Sequence, residues 1–426
     1  MESNPQALLP TTRVTGASVE FVQQPFIKPL QLSSGVITTI TEARATVHVE
    51  VGGISGTGCG SIYLSDLWAW PDPSRSHEER DAVLRAHSNE IALSLPHWCE
   101  GPAHPLELGL RLHHKASPHP LLPALATAMA ASPFDAAIHD AAGQALGLSA
   151  FSFYEQDFPT CADAFFGGSP ASAAIRSLIL HPAAEKLPGW YLLGAGDDLA
   201  KAIPAGVALG YSRFKVKIPG KDSQADAART VDAFRLAVSH GVKTPTLSLD
   251  SNEGNPDTRS VLDYLAELRS SEPAAFEALA YLEQPTGRDI TRHAFDWREV
   301  ASIKPVYLDE GLTSLDLLPL AKEQGWSGLA LKTCKGHSFA LCAAAWAQSN
   351  GMTLAIQDLT NPGFAAIHSY LFAAHLPTQN GIELNSRQYT PDANKPWLPR
   401  LNSLFLPADG THRLPDLQTP GLGSSL

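Results

Sequence analysis

Charge is scarce in this chain. Asp, Glu, Lys and Arg make up 17% of its 426 residues, and the formal balance is −12. So few basic residues on an acidic background exclude the Lys/Arg-rich surface that nucleic acid requires, and no nucleic-acid partner is expected. An anionic small molecule is not excluded, provided that cations gather locally. Cysteine is also rare: Cys59, Cys99, Cys161, Cys334 and Cys342 are odd in number and include no Cys-x-x-Cys pair. That pattern excludes a disulfide framework and fits reduced thiols in a cytoplasmic protein. The opening Met-Glu-Ser-Asn-Pro-Gln lacks the basic and apolar regions of a secretory leader. Long apolar runs are missing as well. The most apolar region, Leu121–Leu148, is broken by prolines and by Asp135 and Asp140, so no membrane span is expected.

Hydrophobic content is ordinary at 44%, and the length suits two domains, one of them a large α/β unit. From Val19 to about Tyr63 the pattern is strand and turn: Val47, Val49 and Val51 alternate with Thr46, His48 and Glu50. Gly52-Gly53 and Gly56 turn the chain toward a second short strand near Ser61–Leu64. Loops are expected on either side, at Gln23–Thr38 and Ser65–Ser76. The latter carries Trp68 and Trp70, which would cover a ligand or pack on a neighbouring domain. Helices are expected over Ser76–Ser94 and over Leu121–Leu146, the second interrupted at Ser132-Pro133. His97, Cys99 and His104 have no metal-ligand spacing and lie among prolines, so they read as a plain loop. His113-His114-Lys115 reads as a solvated turn.

Beyond about Phe153 strand-like runs alternate with Ala/Leu-rich helical segments, the signature of βα units and a parallel sheet. The runs are Thr160–Phe166, Arg213–Ile218, Thr246–Leu249, Ala278–Leu282, Pro305–Leu308, Gly328–Leu331, Thr353–Ile356 and Gly381–Leu384. Eight of them match a (β/α)8-type barrel. An insertion from Gly167 to Asp197 follows the first run and has no assigned role. The final forty or so residues are rich in Pro, Asn, Gly and Ser and are expected to return over the first domain and fray at the end.

The second run holds Phe-Lys-Val-Lys-Ile, in which Lys215 and Lys217 share one strand face and Val216 takes the other. Side by side, two ammonium groups lower each other's pKa and provide a base near neutral pH; on an exposed strand they would be a solvated pair. Residues further along the chain favour the first reading. Asp250, Glu283 and Asp309 each end an apolar run on three consecutive strands, with Asn252 two residues past the first. Barrel active sites are built at those strand ends. Three hard oxygen ligands with room for water and substrate describe a Mg²⁺ site. Lys332 ends the sixth run, opposite Lys217 in an eight-stranded ring, and Asp358 and Glu383 end the next two. One ammonium on each side of a bound substrate is what removing a proton from one face of a carbon and returning it to either face requires.

Lys-x-Lys, Asp-x-Asn, Glu-Gln-Pro, Asp-Glu and a strand-six lysine, in that order, resemble the enolase superfamily and in particular its mandelate racemase and muconate lactonizing enzyme branch. The resemblance covers nearly the whole chain. It implies an α/β protein with an N-terminal α+β capping domain at 1–155 and a (β/α)7β modified TIM barrel at 156–385. A segment at 386–426 would return to complete the cap. It also implies Asp250, Glu283 and Asp309 as Mg²⁺ ligands, Lys217 and Lys332 as acid/bases on opposite faces, and Lys215 as a cation polarising the intermediate. The loops at Gln23–Thr38 and Ser65–Pro73 would close over the barrel mouth. The expected substrate is a small carboxylate, deprotonated next to its carboxyl group and then reprotonated by a racemase, epimerase or related isomerase. Loss of water from a hydroxy acid is the alternative outcome. The same resemblance implies a homo-oligomer.

Departures from the family pattern bear on substrate. After Lys332 comes Thr-Cys-Lys-Gly-His in place of a Gly-Gly, and strand seven offers Ile-Gln-Asp358 with no histidine. His337 reads as a structural helix-start residue. Lys335 would be a second cation at the site or a solvated helix-entry lysine, the latter slightly favoured. Asp358 would contact substrate or orient Lys332, and Asn252, Lys335 and Glu383 are further substrate candidates. A Schiff-base lyase using a barrel lysine and a non-catalytic binding protein are the competing classes.

Overall fold

The computed structural model describes residues 9–32 and 35–426. The N-terminal hexapeptide read for a leader lies outside them, as do positions 33 and 34 of the Gln23–Thr38 stretch. The chain begins with an antiparallel sheet of β1 (Thr12–Leu32), β2 (Gly35–Val51) and β3 (Ile54–Tyr63). As the alternation requires, Val47, Val49 and Val51 are buried while Glu50 is exposed. Gln23–Thr38 is not a loop. It is the far end of the β1–β2 hairpin, paired out to Leu32 opposite Gly35, with the register shifting between Pro25 and Leu30. Pro25 and Pro29 disguised it: β1 is an edge strand, where a residue without an N–H costs no ladder bond.

Three helices, His77–Trp98, Pro105–Ala116 and Ala124–Leu146, complete this layer. The first starts at Ser76, which forms a capping box with Glu79. His113 lies in the second and faces the buried carboxylate of Asp135 at 3.1 Å, so it is not part of a solvated turn. The third runs unbroken through Pro133. It packs directly on β3 because that strand presents Gly56, Gly58 and Gly60: a Cβ at Gly58 would stand 2.1 Å from the Ala141 nitrogen, and one at Gly60 2.1 Å from the Pro133 oxygen. Alanines on the helix and glycines on the strand are two halves of one close approach.

The barrel consists of β4 (Leu187–Leu193), β5 (Arg213–Lys217), β6 (Thr246–Asp250), β7 (Leu279–Glu283), β8 (Val306–Leu308), β9 (Gly328–Lys332), β10 (Thr353–Gln357) and β11 (Thr378–Glu383). All are parallel, and pairing of β11 with β4 closes the ring. Seven of the expected strands are present. The first is misplaced: Cys161–Phe165 is a single 3-10 turn capped by Thr160, and the true first strand lies within the supposed insertion, after a helix at Ala171–Leu178. Thr160 and Asp163 form a capping box there, which explains why an apolar run did not become a strand. Pro188 and Gly189 hid the real one.

The tail does not fray. β12 (Thr411–His412) pairs antiparallel with β4, and the last residues dock on the Ala124–Leu146 helix. Asp140 accepts the N–H groups of Cys59 (2.9 Å) and Leu422 (2.8 Å), tying β3, helix and C-terminus at one buried carboxyl. Inside the barrel Trp190, Tyr281, Tyr307, Ala330 and Ala355 fill the floor. Above that floor the strand ends carry the buried polar side chains of Lys215, Lys217, Asp250, Glu283, Lys332 and Glu383.

Candidate active site

The strand ends form a level ring. Lys217 pairs in register with Asp250, Asp250 with Glu283, Lys332 with Gln357, and Gln357 with Glu383. Period-2 geometry sends Lys215 and Lys217 inward and Phe214 and Val216 out to the surrounding apolar core. β5 and β9 are four strands apart in the ring of eight, so Lys217 and Lys332 face each other across it. Both line one cavity together with Lys215, Asn252, Asp358 and Glu383.

Every ammonium group in the ring lies on carboxylates. Lys215 donates to Glu283 and to Glu383, each at 2.9 Å, and to Gln357 Oε1 at 3.2 Å, and lies 3.2 Å from Asp250. Lys217 donates to Asp250 and, at 2.8 Å, to Asn252 Oδ1. Lys332 donates to Asp309 and stands 3.5 Å from Glu283. Lys335 is not solvated. It is 1% exposed, 3.0 Å from Asp309 Oδ1, and donates to the Asp309 backbone carbonyl at 2.5 Å. Its position three residues past the strand, just before Gly336 at φ 107°, folds it back under Asp309.

These pairings decide the electrostatics. Burial works against the charge on Lys215, but Glu283, Glu383 and Asp250 outweigh it and hold its pKa well above the ordinary lysine value. Lys332 is likewise raised: burial opposes its charge, and Asp309 and Glu283 overcome that. The expected mutual depression of two neighbouring lysines is therefore reversed for Lys215, because the carboxylates are nearer than the other ammonium. Asp250 and Asp309 are held below the usual carboxylate range; burial opposes that, and Lys217 and Lys332 respectively lead the cations that overcome it. Glu283 is pushed up to about 8 by burial and Glu310 to about 7, chiefly by burial and then by Asp309.

Three residues given no site role in the sequence reading belong to the site. Gln357 donates to Glu283 while accepting from Lys215. Glu310 accepts from Trp68 Nε1 at 2.8 Å and from Asn252 Nδ2 at 3.0 Å. Asn385 donates to Glu383 at 2.7 Å. Their signal was adjacency to a strand end; nothing marked them out from neighbours. Trp68, on a short helix at Asp66–Ala69 within the supposed loop, also lies over Lys332, with Nζ 5.5 Å from its ring centre.

The donor set fits a divalent cation. Six buried carboxyls, of Asp250, Glu283, Asp309, Glu310, Asp358 and Glu383, face the four buried ammonium groups of Lys215, Lys217, Lys332 and Lys335; burial raises Glu283, Glu310 and Asp358, and a dication would favour their ionised form. Glu310 Oε2 is buried without a hydrogen bond, and Asp309 Oδ1 has only its ion pair with Lys335. Hard oxygens in excess over their counter-ions are the environment of Mg²⁺. In this arrangement the ammonium groups of Lys215 and Lys332 stand between the three strand-end carboxylates. Among the described residues the trio whose ligand atoms all lie within 4.8 Å of one another is elsewhere, at His87, Glu90 and His119. There His119 Nδ1 accepts the N–H groups of Leu121 and Leu122, both at 3.1 Å, so the proton is on Nε2 and the tautomer is wrong for a ligand. His97, Cys99 and His104 form no metal site: His104 caps the Pro105–Ala116 helix, and Cys99 donates to the Leu108 carbonyl at 3.4 Å.

A capped, closed parallel barrel with lysines and carboxylates at its strand ends defines a class of protein, and comparison confirms it. Residues 198–426 match the family model of enolase C-terminal domain-like proteins. No curated protein matches the chain. A dipeptide epimerase from Enterococcus faecalis V583, solved with Mg and L-Leu-L-Tyr, has a TM-score of 0.66 at 17% identity, covering 96% of this chain and 99% of that one. A muconate lactonizing enzyme from Klebsiella pneumoniae gives 0.62 at 22% identity, with 96% of each chain covered. An N-succinyl Arg/Lys racemase from Bacillus cereus ATCC 14579 gives 0.65 at 17%, covering 96% of this chain and 95% of that one. The chain belongs to the enolase superfamily, in its mandelate racemase/muconate lactonizing enzyme branch. No helix among the described residues is long and apolar enough to cross a membrane.

Proposed function

We propose that this protein is a Mg²⁺-dependent isomerase that removes and returns the proton next to the carboxyl group of a small carboxylate, as a racemase, epimerase or related isomerase. The observation that carries this reading is the opposition of Lys217 and Lys332 across a ring that contains Asp250, Glu283 and Asp309. Structural neighbours that are epimerases, racemases and lactonizing enzymes support the same class of chemistry.

A proton next to a carboxylate is weakly acidic because its loss places a second negative charge on the same group. Held by Asp250, Glu283 and Asp309, a divalent cation would supply a Lewis-acidic charge to that group and offset the carboxylate field that raises the Lys215 and Lys332 pKa values. Lys215, a buried ammonium fixed by Glu283 and Glu383, offers developing negative charge a second cation without reorganising. Lys217 then takes the proton on one face, and Lys332 gives one back on the other, or the reverse. Asn252 Oδ1 fixes the Lys217 ammonium, and Gln357 fixes Glu283. Trp68 over Lys332 keeps water from that side of the ring.

The free state of all five cysteines supports a cytoplasmic location, and a homo-oligomer belongs to the same proposal. The test is a library of carboxylic acids incubated in D₂O with Mg²⁺ and read by NMR. Deuterium entering beside the carboxyl group without loss of water is expected; a 2-keto acid product would move the enzyme to the dehydratases. No exchange with any acid would remove the reading.

A further inference from the structure

An ion pair outside the ring joins two loops of the barrel mouth. Glu253 lies in the loop after β6, and Arg288 in the loop after β7. Glu253 Oε2 accepts the Arg288 backbone N–H at 2.7 Å, and Oε1 accepts from Nε at 2.8 Å and from Nη2. Three donors of one residue close on one carboxylate, and neither side chain is more than 25% exposed. A solvated surface pair has no such geometry.

The pair holds a strained turn. Asn252 and Glu253 both have left-handed backbones, at φ 43° and 70°. Asparagine adopts that conformation readily and glutamate seldom does, so it persists only where neighbours enforce it. Asp250 Oδ1 accepts the Asn252 N–H at 2.8 Å, the Gln284 carbonyl accepts the Glu253 N–H at 2.9 Å, and Arg288 grips the Glu253 carboxylate. The turn sends the Asn252 side chain back over the ring. There its Oδ1 accepts from Lys217 at 2.8 Å and its Nδ2 donates to Glu310 at 3.0 Å.

The other end of the guanidinium reaches the cap. Its Nη1 donates to the Trp68 backbone carbonyl at 3.0 Å, while Glu310 Oε1 accepts from the Trp68 indole at 2.8 Å. One bond to the main chain and one to the side chain fix the ring that lies 5.5 Å from Lys332 Nζ. A planar fork serves Glu253 along one edge and Trp68 from its remaining nitrogen, which the point charge of a lysine cannot reproduce. Arg288 does not itself line the cavity, so its effect passes through the residues it holds.

We propose that Arg288 is a positioning residue for both proton-transfer lysines. It acts on Lys217 through Glu253 and Asn252, and on Lys332 through Trp68, so one guanidinium outside the ring sets both faces together. The proposal rests on the isomerase reading for the roles of the two lysines.

The test uses the full-length, Mg²⁺-loaded protein carrying 5-fluorotryptophan, with the Trp68 fluorine line assigned from Trp68→Phe. The substrate is an acid of the D₂O library that exchanges, taken as separate enantiomers. Arg288→Lys keeps the charge and loses the fork. It is expected to shift or broaden the Trp68 line and to lower kcat for both enantiomers by about ten- to a hundredfold, with KM within about twofold. An arginine that only stabilised the fold would lower the thermal midpoint and leave the fluorine line and kcat of the folded protein where they were. Glu253→Gln, which weakens the other half of the clamp, gives the same reading if Arg288→Lys does not fold. An unmoved Trp68 line, a loss confined to KM, or a loss for one enantiomer alone overturns the proposal. Wild-type exchange that Arg288→Lys leaves intact removes this inference and spares the isomerase reading. No wild-type exchange with any acid removes both.

Discussion

Lys335 and Asp309 form a buried ion pair at 3.0 Å in which the same ammonium also caps the Asp309 backbone carbonyl. The pair places a fourth cation directly against one of the three strand-end carboxylates. Removing a buried partner leaves the remaining charge uncompensated. Lys335→Met is therefore expected to cost about 3 kcal/mol in urea unfolding without metal. Added Mg²⁺ should recover part of that loss, because a dication is the natural replacement counter-charge for Asp309. A variant as stable as wild type in the absence of metal would show that Lys332 alone satisfies Asp309.

The opposed lysines predict a stereochemical signature. Lys217→Ala should abolish deuterium exchange with one enantiomer of a substrate and Lys332→Ala with the other, each by about 10²–10⁴-fold. NMR on resolved enantiomers reads this directly. Equal loss for both enantiomers in each variant would place the two lysines on one face.

Metal removal separates this chemistry from imine formation. Dialysis against EDTA is expected to abolish exchange, and Mg²⁺ to restore it. Borohydride added during turnover should leave no substrate mass on Lys332, since an imine lyase would be trapped and would ignore the chelator.

The buried histidines should weaken the fold on mild acidification, while the raised carboxyls of Glu283 and Glu310 act in the opposite direction. Burial holds His104 and His368 down to about 3 and His412 down to about 4, well under the ordinary 6.5, so all three remain neutral in the fold. The unfolded chain takes up protons near pH 6.5 while the folded one does not, so stability is complete above that pH. It is lost progressively as pH falls toward 3–4. Each histidine contributes a slope of about 1.4 kcal/mol per pH unit once its unfolded form is titrated. Urea midpoints of the wild type and of His412→Gln, compared from pH 7.5 to 5, isolate the histidine contribution; a wild type that loses no more stability on acidification than the variant would refute it.

The helix-on-glycine contact predicts a steric effect. A Cβ at Gly58 would lie 2.1 Å from the Ala141 nitrogen, and the obstacle is backbone on both sides. Gly58→Ala should cost about 2 kcal/mol or more by forcing sheet and helix apart, measured as a lowered thermal midpoint. Gly53→Ala, with no atom within 4 Å but φ 87°, isolates the conformational cost for comparison.

Much of the site was legible because strands translate sequence spacing into direction. Lys215 and Lys217 two apart had to share a face, and an acid after each of three apolar runs had to sit at a barrel mouth. The fold was legible for the same reason, except where backbone chemistry overrode pattern. Prolines on an edge strand hid the β1–β2 hairpin, Thr160 and Asp163 turned an apparent strand into a capped turn, and Pro188-Gly189 masked the real one. Gln357, Glu310 and Asn385 were unreadable because each acts through a partner that spacing along the chain does not reveal.

Sequence alone determined which side chains share a strand face, and therefore which lysines and acids meet at one end of a ring. Tertiary structure alone decided their states. The folding back of Lys335, the carboxylates that reverse the shift expected for Lys215, and the unpartnered oxygen of Asp358 depend on contacts between residues far apart in the chain. Charge and hydrogen bonding act through distances in space, and spacing along a chain specifies those only within one element.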